Sequence, residues 1–193
     1  MSAELERALR GIAADGWYES AAAYGLPAPL ERAILEWREK ALPYALRQEQ
    51  LVPHLTACFF GRMRGHELRA LLEAVHTRPW RELCVELGPL GAFRRGESIA
   101  NMHIAVRPGA ALMDAHRRLL EIGGRFAWFS PGRYVGAGYT PHISLVDQAE
   151  FRSSDVLSLA PWWSEGETVQ LARPHVLGKR LDPRILLDLG PRS

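Results

Sequence analysis

Residues 53–61 read Pro53-His54-Leu55-Thr56-Ala57-Cys58-Phe59-Phe60-Gly61, and residues 139–146 return to the same pattern as Tyr139-Thr140-Pro141-His142-Ile143-Ser144-Leu145-Val146. Each copy opens on a proline–histidine step, places a hydroxyl two residues on, and continues as an apolar run of strand length. Side chains of an extended strand alternate between its faces. His54 and Thr56 therefore share one face while Leu55 and Ala57 point to the core; the same alternation puts Cys58 on the face of His54. His142 and Ser144 stand against Ile143 and Leu145 in the same way. Two such strands side by side would present two imidazoles and two hydroxyls to one cleft.

Beyond the first motif, His66 to His76 has Leu68, Leu71, Leu72 and Val75 at helical spacing. Leu83–Leu87 and Ile99–Val106 are strand candidates, and Ala110–Ile122 is a second helix. A short apolar piece, Phe126–Phe129, precedes a glycine- and proline-rich loop from Ser130 to Gly138. Thr168–Leu177 and Ile185–Leu189 are read as further strands. The first 45 residues look helical. Leu5, Leu9 and Ile12 recur at helical spacing before Gly16, and Leu30–Leu42 follows Pro27 and Pro29 and stops at Pro43. The expectation is an α+β fold: a helical extension over 1–45, then a domain over 46–193 built from two split β-α-β units.

The 193 residues are 47% hydrophobic and 24% charged, with a formal net charge of +2, which suits a folded domain and argues against disorder. The apolar runs are too short to span a bilayer and Met1–Arg10 interleaves charges, so a cytoplasmic protein without a membrane partner is expected. The two cysteines, Cys58 and Cys84, match no metal-ligand spacing and are expected to be reduced and buried. Lys40 and Lys179 are the only lysines. The arginine bias suits phosphate recognition, but also a GC-rich coding sequence, and no arginine run marks a nucleic-acid footprint.

Two histidines and two hydroxyls suit phosphoryl transfer without a metal or other cofactor. In-line attack at phosphorus needs a base for the nucleophile and an acid for the leaving oxygen. Histidine alone has an unperturbed pKa near neutrality. Each well-placed acid or base contributes on the order of 10²–10⁴ in rate. Thr56 and Ser144 would donate hydrogen bonds to the non-bridging oxygens.

At these residues the chain resembles the two-histidine (2H) phosphoesterase superfamily, which includes RNA 2′,3′-cyclic phosphodiesterases and bacterial enzymes named 2′-5′ RNA ligases. The first family motif is similar to His54-Leu55-Thr56-Ala57-Cys58-Phe59-Phe60-Gly61 and the second to Tyr139-Thr140-Pro141-His142-Ile143-Ser144-Leu145. The resemblance extends over roughly residues 50–189, with Phe93 also in the family's order. It implies a bilobal, pseudo-twofold fold with an antiparallel-rich sheet in each lobe, one motif from each, and no metal. It also implies His142 as base and His54 as acid, roles that swap with the direction of reaction. Family members usually begin with a strand near the N-terminus, where this chain reads as helical. Many bacterial relatives carry a basic residue after the second motif, where this chain has Val146-Asp147. Phosphate neutralisation is then expected from Arg62 or Arg133.

Tyr139 lies where the family often has an aromatic that stacks on a base; packing against the strand start is an equal alternative. Trp128 either walls the cleft or fills the core. His103 and His175 lack a hydroxyl partner and are read as structural, and His66, His76 and His116 as helix-surface or helix-end residues. Gly136 and Gly138 precede a strand rather than a helix, which excludes a dinucleotide fingerprint and suits a turn. The expected activity is hydrolysis of a cyclic phosphodiester, with a 2′,3′-cyclic nucleotide, an RNA end or a related cyclic phosphate as partner. The alternatives are a non-hydrolytic RNA-end-binding module, RNA 2′-5′ ligation, or an interaction scaffold in which the N-terminal helices do the work.

Overall fold

A computed structural model of the chain describes residues 3–41, 52–95, 98–125, 135–151 and 162–181. Its elements run α1 (Ala3–Arg10), β1 (Trp17–Gly25), α2 (Ala28–Ala41), β2 (His54–Arg64), α3 (Gly65–His76), β3 (Leu83–Arg95), β4 (Ser98–Val106), α4 (Ala110–Gly123), β5 (His142–Phe151), β6 (Thr168–Leu171) and β7 (Pro174–Arg180). The strands form one seven-stranded sheet in the order β6-β3-β4-β5-β2-β1-β7, antiparallel at every described pairing. This is the α+β class expected from the sequence, and β2 and β5 open on the two motif histidines.

Helices α3 and α4 close the core against the sheet. Leu68, Leu71 and Val75 of α3 and Leu112, Leu119 and Ile122 of α4 are buried. They meet Leu55, Phe60, Met63, Leu87, Ile104, Ile143 and Leu145 from the strands. Each large side chain removed from water in this way contributes about 1.5–3 kcal/mol.

The first 45 residues are not wholly helical. Trp17–Gly25 is a strand, and it lies between β2 and β7, pairing with both. The run Ala21-Ala22-Ala23 has strong helix propensity, but propensity is a weak prior against the burial of Tyr18, Ala22 and Tyr24 on one face of a pleated strand. Residues 1–45 are therefore not an appendage to a separate domain. Gly65 N–H donates to the Gly16 carbonyl at 2.8 Å, and a Cβ at Gly65 would lie 1.8 Å from the Ala13 carbonyl oxygen. That close approach requires glycine at the start of α3.

Thr168–Leu177 is not one strand either. It divides before Pro174 into β6 and β7, which sit at opposite edges of the sheet. Cys58 is buried as expected, whereas Cys84 is exposed, because Leu83 and Val85 take the inward positions of β3. Phe126–Phe129 and Ile185–Leu189 lie outside the described residues. No helix among the described residues is long and apolar enough to cross a membrane.

Candidate active site

β2 and β5 pair through Leu55 and Ile143, both fully buried. In an antiparallel register this contact sets His54 opposite Ser144 and Thr56 opposite His142, all four on the face away from that apolar pair. Directly opposed Cβ atoms lie about 4.5–5.5 Å apart and diagonal ones about 7–8 Å. Each histidine thus faces the other motif's hydroxyl, and the histidines occupy one diagonal of the four positions.

The two imidazoles are held alike. Nδ1 of His54 lies 2.7 Å from the Val52 carbonyl oxygen, and Nδ1 of His142 lies 2.8 Å from that of Thr140. A carbonyl only accepts, so Nδ1 carries the proton in both rings and Nε2 is the nitrogen available for proton transfer. Both side chains are half-buried at the mouths of their strands.

Around the second motif the patch extends across β4 to β3. His103 is the cross-strand partner of Ser144, and Gly91 is the partner of His103. Phe93 stands 4.4 Å from the His103 ring and edge-on to His142 at 5.0 Å, with the two imidazoles also 5.0 Å apart. Asn101 joins them: its Nδ2 donates to Ser144 Oγ at 3.0 Å, and its Oδ1 lies 2.9 Å from His103 Nδ1. Burial, and then the neighbouring His142, pushes the His103 imidazole down to about 4, so it is neutral near pH 7.

Around the first motif the strand is irregular. Ala22 pairs with Cys58 and Ala23 with Thr56, which leaves Ala57 without a partner on β1. The bulge breaks the alternation there. Cys58 consequently turns into the core with its thiol pushed up to about 12 by burial, and it does not share the face of His54. His116 of α4, expected on a helix surface, is instead buried and directed at this bulge: its Nδ1 donates to the Ala57 carbonyl at 2.6 Å. Its Nε2 accepts from the Gly136 N–H at 2.9 Å, in the short 3₁₀ turn Gly136–Gly138. Tyr139 stacks flat on His116 at 4.0 Å and donates its hydroxyl to the Thr56 carbonyl at 2.9 Å. One imidazole and one phenol thus tie the approach to the second motif onto the backbone of the first.

Arg38 of α2 is buried and donates from Nε to the Leu145 carbonyl and from a terminal nitrogen to that of Ser144. A helix distant in sequence therefore fixes the backbone that carries the Ser144 hydroxyl.

Of the residues expected at the site, His54, Thr56, His142 and Ser144 come together, and Tyr139 takes the packing alternative on the ring face that meets His116. Arg62 lies six residues beyond Thr56 on β2, about 20 Å at the usual strand rise, and half-buried. Arg133 and Trp128 lie outside the described residues. Sequence reasoning missed His116, Asn101 and Arg38. A signal existed for His116, which falls in the stripe Leu112, Ala115, His116, Leu119 that marks the buried face of α4.

No protein-family model and no curated protein sequence matches the chain. Solved structures do. Escherichia coli LigT complexed with phosphate aligns at a TM-score of 0.53 and 20% identity, over 86% of this chain and 97% of that one. The chain has the LigT fold. LigT complexed with 3′-AMP aligns at 0.55 and 20% identity, covering 86% and 96%, and a structure described as a phosphoesterase aligns at 0.55 and 19%, covering 86% and 95%. The α+β class agrees with the expectation from the sequence, although the strands form one sheet rather than one in each of two lobes, and β1, expected as helix, is a strand of that sheet.

Proposed function

We infer that the chain is a 2H phosphoesterase that hydrolyses a cyclic phosphodiester, a 2′,3′-cyclic nucleotide or RNA end or a related cyclic phosphate, without a metal. The observation that carries this reading is the diagonal placement of His54 and His142 across the Leu55–Ile143 pair. A phosphorus atom between two diagonal imidazoles can be attacked by water from one side and released on the other. One histidine takes the proton of the attacking water as the new P–O bond forms. The other gives a proton to the ribose oxygen as the old P–O bond breaks, leaving a phosphomonoester. His142 as base and His54 as acid follow from the family resemblance. Thr56 and Ser144 donate to the non-bridging oxygens, where charge accumulates. The two strand-mouth histidines, matched down to their Nδ1 anchors, support a pseudo-twofold duplication with one motif in each lobe. The LigT structures that hold phosphate and 3′-AMP support a nucleotide phosphate as the class of ligand.

The test is an assay of the purified chain against cyclic mononucleotides, cyclic-phosphate-ended RNA and cyclic oligonucleotides, with and without chelator. Turnover of at least one substrate is expected, unaffected by chelator, with a bell-shaped pH profile. It should fall by on the order of 10²–10⁴ in His54→Ala and in His142→Ala. Activity that survives both changes would refute the assignment, and activity lost to chelator and restored by a metal would refute the mechanism.

A further inference from the structure

Asn101 and His103 take no part in the proton transfers just described, yet they fill the space between Ser144, His142 and β3. We propose that they form a positioning relay that turns the hydrogen of the Ser144 hydroxyl towards the phosphoryl oxygen; the cyclic-phosphate reading above supplies the identity of that oxygen.

A serine hydroxyl has one hydrogen to give and two lone pairs to receive. Asn101 Nδ2, 3.0 Å from Oγ, occupies a lone pair and leaves the hydrogen free for substrate. This holds only while the amide oxygen of Asn101 points the other way, at His103 Nδ1 2.9 Å off. His103 must then carry its proton on Nδ1. The opposite arrangement is also self-consistent: with the amide reversed, Ser144 donates its hydrogen to Asn101 and His103 is protonated on Nε2. That version would place an N–H against β3 backbone. A Cβ built on Gly91 would lie 2.3 Å from His103 Nε2, and among the described residues Nε2 has no hydrogen-bond partner. An N–H pressed against that backbone gains no hydrogen bond there, whereas the Asn101 amide set with Nδ2 on Ser144 Oγ and Oδ1 on His103 Nδ1 satisfies all three groups, so the arrangement that frees the Ser144 hydrogen is preferred. The ring cannot swing to relieve the choice: it is 5% exposed and packed by Phe93, His142 and the Gly91 backbone.

The first motif has no counterpart. The Thr56 hydroxyl makes no hydrogen bond to any described residue, so its hydrogen is oriented by substrate alone. The two hydroxyls look alike in sequence but differ in preparation, and the Ser144 side is the ordered donor.

Two measurements test the relay. Long-range proton–nitrogen NMR on the ¹⁵N-labelled full chain reports which ring nitrogen of His103 carries the proton. Nδ1–H is expected between pH 6 and 8; an Nε2–H ring would overturn the relay, whatever the substrate proves to be. Kinetically, Asn101→Ala should lower kcat roughly tenfold with little change in KM, part of the 10²–10³ that loss of a whole oxyanion donor costs. In a Ser144→Ala background the same change should cost nothing further, whereas in Thr56→Val it should cost its full tenfold. Losses that multiply in the Ser144→Ala background would mean Asn101 merely supports the fold and would overturn the proposal. If the wild-type chain turns over no cyclic phosphate, the functional reading fails on its own, and the tautomer measurement still decides the relay.

Discussion

Nδ1 of His116 donates to the carbonyl oxygen of Ala57, the residue that β2 carries unpaired in its bulge. The bulge frees a backbone acceptor and α4 supplies the donor. The second ring nitrogen then accepts from Gly136, so one side chain serves both halves of the site. His116→Leu keeps the bulk but strands the Ala57 carbonyl and the Gly136 N–H. The Ala57 carbonyl is buried, and an unsatisfied buried group costs about 1–3 kcal/mol, whereas the N–H of exposed Gly136 can turn to water. A loss of about 1–3 kcal/mol is expected in urea denaturation, with lower kcat because the Gly136 turn before His142 is no longer tied through His116 to Ala57. An unchanged urea midpoint would show that neither bond contributes.

How much of this was readable beforehand depends on the range of the contact. The motif strands announced themselves, since period-two alternation with a histidine and a hydroxyl on one face is a local pattern, and the helices α3 and α4 likewise carry their own periodicity. β1 did not, because alanine reads as helix until its strand partners are known. Cys58 was misplaced because the bulge at Ala57, set by pairing with β1, is invisible in the β2 sequence alone. Arg38 had no local signal at all: its acceptors, the Ser144 and Leu145 carbonyls, lie in another element far along the chain.

Acid should weaken the fold through two buried histidines. Burial, then the neighbouring His142, holds His103 down at about 4 against its ordinary 6.5. Burial also lowers His116, against a smaller upward pull from the Ala57 carbonyl. A depressed histidine stays neutral in the folded chain while the unfolded chain takes up its proton. Stability is therefore full above about pH 6.5 and falls as pH drops from 6.5 towards 4. Protonated His116 would also set an Nε2–H against the Gly136 N–H, two donors face to face. Urea midpoints measured from pH 7.5 to 4.5 should fall steadily, and His103→Gln should flatten the slope. A midpoint independent of pH over that window would contradict both burials.

Arg38→Met tests whether the α2 contact matters for the site or only for packing. Methionine replaces most of the buried stem but cannot donate to the Ser144 and Leu145 carbonyls. Hydrogen bonds from a charged donor contribute about 1.5–3 kcal/mol each. A loss of about 2–4 kcal/mol is expected in urea, with a fall in kcat because the Ser144 backbone is no longer held. Loss of stability with kcat intact would confine Arg38 to the fold.

Gly91→Ala is the smallest change that should reach the chemistry. Gly91 has no positive φ and sits in the middle of β3, so backbone freedom does not explain a glycine there. What does is the His103 ring lying over it, closer to a future Cβ than any van der Waals contact allows. The added methyl must push the imidazole towards Phe93 and His142 or part β3 from β4. Overpacking of this kind costs about 1–3 kcal/mol. If the ring moves, the Asn101–His103 bond breaks and kcat should fall about as far as in Asn101→Ala, roughly tenfold, a fraction of the loss of a full donor. If the strands part instead, stability falls while kcat holds. Comparing Gly91→Ala with Gly91→Ala/Asn101→Ala separates these outcomes, because the double variant should be no slower than Asn101→Ala alone when the ring is what moved.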